Sequence, residues 1–347
     1  MIKILIVDDS PSVRMLLERI FNADPELEVV GTANDGVQAI AAVERLAPDV
    51  VTMDIYMPRM NGLEATRRIM EMHPVPIIIV SGNLDKEEVM TSFRAMEAGA
   101  LAAVPKPCGS GQSAHESEAD SLVQKVKLMA EVKVVTRWSR LGKRPPKPLP
   151  FKAIEHPQAP PRVVAIGAST GGPVVINTIL SSLPADFSLP VLIVQHMAEG
   201  FIRGFADWLG LSSRLPVHVA SQGEQVLPGH VYIAPYGYHL RAAAGDVITL
   251  NKEAPVNGQR PAVAVLFRSV AEVYGGGAVG ILLTGMGADG ALELKLLKDR
   301  GAVTIAQDQT SSVIFGMPGE AARLDAASYI LPPEMIVAAL AQMDTRS

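Results

Sequence analysis

The sequence predicts two α/β domains with parallel sheets, joined by a proline-rich basic linker, and three observations carry that expectation. Short, continuous apolar runs rich in Val and Ile alternate with stretches of helical spacing, first over residues 1–138 and again over 162–347. Between them, 142–161 holds seven prolines with Lys143, Arg144 and Lys147, a composition that sustains neither helix nor sheet and reads as a spacer. The length of 347 residues is that of about two domains. The expected division is therefore 1–138, a linker at 139–161, and 162–347.

In the first domain strands are expected over 2–7, 29–33, 50–53, 76–80 and 101–104. A helix at 11–23 follows from Val13, Leu16, Leu17 and Ile20, and another from Val37, Ile40, Ala41 and Leu46. Further helices are expected over 63–70, 87–97 and about 120–138, with a polar loop at 109–121. Continuous apolar strands alternating with helices imply a parallel sheet covered on both faces. In the second domain the strands fall at 163–166, 191–195, 231–234, 240–250, 279–284 and 303–306. The third and fourth of these read as a hairpin in an otherwise mostly parallel sheet. Helices are expected from the glycine-rich turn to about 181, then over 201–209, 262–273, 292–299 and 334–343.

Composition excludes several classes. With 48% hydrophobic and 19% charged residues the chain is an ordinary globular one rather than a disordered one. A net charge of −5 without a basic stripe argues against a nucleic-acid partner. No apolar run reaches the roughly 20 residues of a membrane span, and 1–9 lacks the pattern of a signal peptide. Cys108 is the single cysteine, so no internal disulfide is possible. A cytoplasmic protein without membrane insertion is expected.

The first candidate site lies at expected strand ends. Asp8 and Asp9 follow the first strand and Asp54 the third, while Ser81 ends the fourth and Lys106 follows the fifth. Ligands of doubly wound sheets gather at the carboxyl ends of strands, near the reversal of strand order. Three carboxylates gathered there repel one another unless a hard cation such as Mg²⁺ neutralises them. With a hydroxyl and a lysine added, the set suits phosphoryl transfer to Asp54, with Ser81 and Lys106 on the phosphoryl oxygens. Val7-Asp8-Asp9-Ser10, Asp54 through Pro58 to Gly62, Val80-Ser81-Gly82 and Lys106-Pro107 together resemble the response-regulator receiver domain. The resemblance implies a flavodoxin-like sheet of strand order 2-1-3-4-5. It also implies Mg²⁺ on Asp9, Asp54 and the Tyr56 carbonyl with Asp8 assisting, a histidine kinase as phosphodonor, and in many relatives a cis Lys-Pro bond. The position three before Lys106, often aromatic in that family, is Ala103, so Ser81 is left as the main route of coupling.

The second candidate site begins with Gly167-Ala168-Ser169-Thr170-Gly171, a G-x-S-x-G between an expected strand and helix, which is the setting of an exposed nucleophile. Backbone N–H groups at that helix start, Thr170 among them, suit an anion. A serine needs a base. His196 stands directly after the strand 191–195, and Asp289 lies in the glycine-rich turn after 279–283; all three fall on one sheet edge. Gly167 to Gly172, Gln195-His196-Met197, Leu283 to Gly290 and Ala306-Gln307-Asp308-Gln309 make 162–345 resemble the catalytic domain of the chemotaxis protein-glutamate methylesterase family. That family also carries an N-terminal receiver and a linker.

This second resemblance implies Ser169 as nucleophile, His196 as base, Asp289 as orienter and the Met286 N–H in the oxyanion hole. It implies glutamate methyl esters of chemoreceptors as substrate, methanol as product, deamidation of receptor glutamines in many members, and a receiver that covers the cleft until phosphorylated. No cofactor is expected for ester hydrolysis itself. Where relatives carry an acidic residue the chain has Ala264, and Tyr236 and Tyr238 replace a different loop sequence, which leaves the cognate receptor open. His239 reads either as a cleft residue or as part of a hairpin. The rival readings are an esterase or deamidase of another chemosensory pathway, and a non-catalytic adaptor or phosphate sink.

Overall fold

The computed structural model describes residues 1–82, 86–107, 115–132, 134 and 159–344. The chain divides into two compact units, Met1–Pro148 and Leu149–Ser347. Most of the expected linker, 139–158, and Cys108 lie outside the described residues.

The first unit runs β1 (Ile2–Val7), α1 (Pro11–Asn22), β2 (Leu27–Ala33), α2 (Gly36–Leu46), β3 (Val50–Met53), α3 (Gly62–Met72), β4 (Ile77–Ser81), α4 (Lys86–Glu97), β5 (Ala102–Pro105) and α5 (His115–Ala130). Its sheet is parallel throughout, in the order β2-β1-β3-β4-β5. β3 and β4 are buried along their whole length, as strands covered on both faces must be. Local chemistry sets the helix starts. Pro11 opens α1, and Asp35 and Asn61 cap α2 and α3 by accepting from Gln38 N and Glu64 N, each at 2.9 Å. Two expectations are corrected. The helix placed at about 120–138 begins at His115 and ends at Ala130, so part of the polar stretch at 109–121 is helical. Its first buried apolar residue is Leu122, so no apolar period announces the earlier turns. The cis peptide among the described residues is Arg260–Pro261, not Lys106–Pro107.

The second unit runs β6 (Val163–Ala168), α6 (Gly172–Ser182), β7 (Val191–Gln195), α7 (Phe201–Ser212), β8 (Val217–Val219), β9 (Val231–Ile233), β10 (His239–Ala243), β11 (Val247–Asn251), α8 (Val263–Tyr274), β12 (Ala278–Leu282), α9 (Ala291–Asp299), β13 (Val303–Gln307), α10 (Met317–Arg323), β14 (Tyr329–Leu331) and α11 (Pro333–Met343). Seven strands form one parallel sheet in the order β14-β13-β12-β6-β7-β9-β8. The expected hairpin is relocated: 231–233 joins this sheet, while β10 and β11 pair antiparallel with each other, turning at Gly245 and Asp246. The core packs α8 and α9 against β6, β7 and β12 through Val163, Leu192, Leu266, Phe267, Leu282 and Leu294.

Chain order sets the sites. The second unit lays β6, β7 and β9 to one side, then returns to place β12 against the other edge of β6. In the first unit the order reverses between β1 and β3. Both reversals open a crevice beyond the carboxyl ends of two adjacent strands.

Candidate functional site

In the first unit the reversal gathers the expected acidic residues. One carboxylate oxygen from each of Asp8, Asp9 and Asp54 lies within 4.8 Å of the others. Lys106 reaches in from the end of β5, its Nζ 2.8 Å from Asp8 Oδ2 and 3.1 Å from Asp54 Oδ2. Asp8 and Asp54 are buried, and Ile55 N donates to Asp54 Oδ1 at 2.8 Å. Arg14, which the sequence reading passed over, ties the backbone here by donating to the carbonyls of Asp8 and Asp9 at 2.6 and 3.0 Å. The loop after β3, with Tyr56 exposed, folds back so that Gly62 N donates to Ile55 O at 2.9 Å. A Cβ on Gly62 would stand 1.9 Å from Asp54 O, so that glycine is a steric requirement of the loop.

Burial pushes the Asp54 carboxyl up to about 6; the Lys106 ammonium opposes this and the Asp8 charge adds to it. Burial also works against the charge on Lys106, but hydrogen bonds and attraction from Asp8 and Asp54 outweigh it and raise the ammonium. An all-oxygen donor set with more carboxylates than cations fits a hard divalent ion such as Mg²⁺.

A stability test follows with a definite sign. Because the folded carboxyl titrates above the unfolded one, its ionised form opposes folding at neutral pH, and that cost disappears as pH falls through 6 towards 4. Asp54→Asn is therefore expected to stabilise the first unit at pH 7.5 by up to about 3 kcal/mol. Below pH 4 it should give no gain, as read by thermal melting across pH. A destabilised variant at pH 7.5 would refute the burial argument.

Ser81 ends β4 buried, and its hydroxyl donates to Glu88 Oε1 of α4, as does Gly82 N at 3.0 Å. Glu88 was not legible as a partner, since it lies seven positions after Ser81, within the first turn of a helix. Ala103 lies half-buried in β5.

In the second unit Ser169, His196 and Asp289 follow β6, β7 and β12, which are neighbours in the sheet. Ser169 is held through its backbone: its N donates to Thr284 O at 3.0 Å, and its O accepts from Gly172 N at 2.9 Å. Gly171 caps α6 at φ +78°, where a Cβ would also meet Val313 Cγ2 at 2.5 Å. Buried Gln195 donates through Nε2 to Ser169 O at 2.8 Å and to His196 O at 2.9 Å, so one amide ties both backbones. Thr284 joins the neighbouring loops through Thr170 O and Ile314 N, each at 3.0 Å. Among the described residues the N–H groups of Thr170 and Met286 have no hydrogen-bond acceptor, and Met286 is exposed.

Asp289 is the best-held group of the site. His196 Nε2 lies 2.9 Å from its Oδ2, which also accepts from Val263 N at 2.7 Å. Its Oδ1 accepts from Asn257 Nδ2 at 2.9 Å and Ala264 N at 3.2 Å. Ala262, the N-cap residue of α8, makes no side-chain cap, so the Asp289 carboxylate occupies that role. Burial works to raise this carboxyl, but the hydrogen bonds from His196 and Asn257 prevail and hold it below the usual range. An ionised carboxylate on Nε2 favours the tautomer with the proton on Nε2 and leaves the lone pair on Nδ1.

The remaining candidates resolve into structure. His239 is fully buried; its Nδ1 accepts from Ala262 N at 3.2 Å and its Nε2 donates to Ala254 O at 3.1 Å, so both nitrogens brace the segment before α8. Ala264 is buried behind Asp289, and Tyr238 lies under Lys252 Nζ at 4.8 Å from its ring centroid. No helix among the described residues is long and apolar enough to cross a membrane.

Residues 164–340 match the CheB methylesterase family and 4–116 match the response regulator receiver domain. A protein-glutamate methylesterase/protein-glutamine glutaminase of Geobacter metallireducens is 60% identical over 99% of both chains. One from Nitrosospira multiformis is 54% identical over 99% of this chain and 97% of its own. The crystal structure of the Thermotoga maritima CheB methylesterase catalytic domain is 38% identical, covering 52% of this chain and 98% of that one at a TM-score of 0.51. The chain belongs to the CheB methylesterase family, with a response regulator receiver domain ahead of the methylesterase domain.

Proposed function

We propose that this protein hydrolyses glutamate methyl esters on chemoreceptors, and deamidates receptor glutamines, under control of phosphorylation at Asp54. The reading divides the chain into a receiver at 1–138, a linker at 139–161 and a catalytic domain at 162–347, acting in the cytoplasm. The single observation that carries it is the Asp289 carboxylate, fixed by four donors and turned onto His196 one strand away from Ser169.

In this mechanism Ser169 Oγ attacks the ester carbonyl carbon while His196 Nδ1 takes the hydroxyl proton. The carbonyl electrons move to oxygen, which the N–H groups of Thr170 and Met286 receive. The C–O bond to methoxide then breaks and His196 returns its proton, so methanol leaves. Water adds to the acyl-enzyme with His196 again as base, and the glutamate carboxylate departs as Ser169 regains its proton. With glutamine the leaving group is ammonia. Asp289 fixes the tautomer and supports the imidazolium. None of these steps needs a metal or cofactor.

In the receiver, Asp54 is the phosphoryl acceptor, Lys106 and Ser81 hold phosphoryl oxygens, and a histidine kinase is the donor. Asp8, Asp9, Asp54 and the Tyr56 carbonyl would hold Mg²⁺, which offsets the negative charge that gathers during transfer. Ser81 must leave Glu88 to reach a phosphoryl oxygen, which gives phosphorylation a direct effect on the start of α4.

Methanol release from methylated receptor membranes tests the proposal, with and without Mg²⁺ and a small-molecule phosphodonor. Activation of about 5- to 150-fold, the range of ordinary coupling free energies, is expected for the native chain and none for Asp54→Ala. Equal stimulation of both would remove Asp54 from the regulatory path. Phosphorylation without any methanol release would favour the adaptor reading.

A further inference from the structure

Asp289 has a fourth partner that the Ser-His-Asp pattern does not contain. Asn257 sits in an exposed turn, yet its Nδ2 reaches the buried Asp289 Oδ1 at 2.9 Å. The turn explains how. Val256 and Gln259 exchange backbone hydrogen bonds at 3.1 and 2.9 Å, and the two residues between them, Asn257 and Gly258, have φ of +53° and +74°. Two successive left-handed residues closing a two-residue loop is the type I′ geometry, which Asn-Gly adopts readily. The conformation turns the Asn257 amide in to Asp289 although the residue itself stays exposed.

The contact has a consequence for the base. Asp289 Oδ2 is shared by the imidazole and Val263 N, while Oδ1 is held by Asn257 and Ala264 N. The two backbone donors both come from the start of α8, one on each carboxylate oxygen. Among the described residues Asn257 is the one side-chain donor on the carboxylate besides His196, and it approaches from a separate loop. Without it Oδ1 is left with Ala264 N alone, at 3.2 Å the longest of the four contacts, so the carboxylate is held less firmly against the imidazole.

We infer that Asn257 is a positioning residue that acts through Asp289 to aim the His196 base at Ser169. The inference rests on the esterase reading above for its kinetic consequence, but its structural part can be measured separately.

The alternative is that Asn257 merely suits its turn, and substitutions separate the two. Glycine adopts the left-handed conformation without strain but supplies no amide, whereas aspartate tolerates it and is isosteric, but sets a carboxylate against Asp289. If only the turn matters, Asn257→Gly and Asn257→Asp both behave as the native chain. If the amide matters, Asn257→Gly loses about 10- to 100-fold in kcat, what one hydrogen bond to a charged group is worth. In that case Asn257→Asp loses more, and KM stays near its native value in the glycine variant.

The experiment uses the full chain and methylated receptor membranes, with steady-state methanol release measured for native, Asn257→Gly and Asn257→Asp proteins. Proton NMR follows the His196 N–H that faces Asp289. The expected result is the activity order Asn, Gly, Asp, with that resonance displaced in both variants. Native-like kcat in Asn257→Asp, or an unmoved resonance in Asn257→Gly, overturns the inference. If the native chain releases no methanol, the esterase reading fails, and the NMR comparison still decides whether Asn257 positions the pair.

Discussion

Ser169→Ala is expected to remove methanol release almost completely, a loss on the order of 10⁶-fold in kcat, as when a serine nucleophile of this type is deleted. The folded chain should melt as before. Ser169 is located by its backbone, through Thr284, Gly172 and Gln195, and its hydroxyl contributes no hydrogen bond to that frame among the described residues. Alanine keeps the Cβ and disturbs none of those contacts. Stopped methanol assays alongside thermal melts check both halves. Retained activity would mean that another residue attacks the ester.

The second large effect is expected at Asp289. Asp289→Asn keeps the shape and removes the charge, and about 10⁴-fold in kcat should go with it, because an amide cannot hold the imidazole tautomer that leaves Nδ1 free. Here stability should fall as well. Each carboxylate oxygen accepts from two donors, so whichever way the new amide faces, its NH₂ meets two N–H groups. Leaving those groups unpaired at a buried site costs about 1–3 kcal/mol, visible as a lower melting temperature. Unaltered melting with lost activity would mean that α8 finds another cap. In the double variant with Ser169→Ala, no further loss of rate is expected, since the residues act as one unit.

Much of this was legible from residue types. Continuous apolar runs marked the strands of both parallel sheets that exceed three residues, and acidic or nucleophilic residues at strand ends pointed to the two places where the structure gathers them. What escaped had no periodicity to show. β8 and β14 are three residues each, and α10, seven residues opening Met317-Pro318-Gly319, looks like a loop in sequence. The hairpin was misplaced because 240–250 reads as one run until the turn at Gly245 and Asp246 is seen.

The supporting residues were less accessible still. Gln195 stood beside His196 in a recognised motif, but its action on two carbonyls depends on where β6 and β7 end. Asn257 reads as half of an ordinary Asn-Gly turn. His239 stayed open between a cleft and a hairpin position because nothing local reveals that both its nitrogens are already used.

The late return of the chain to β6 also dictates when the enzyme can exist. Ser169 and His196 come early in the second unit, but Asp289 follows His196 by 93 residues, in the loop after the strand that joins the other edge of β6. A nascent chain halted before β12 holds a serine and an imidazole with no orienting carboxylate, and α8 without its cap. On the mechanism proposed above, hydrolytic competence is thus withheld through most of synthesis of the second unit, and it arrives with the strand that closes the middle of the sheet.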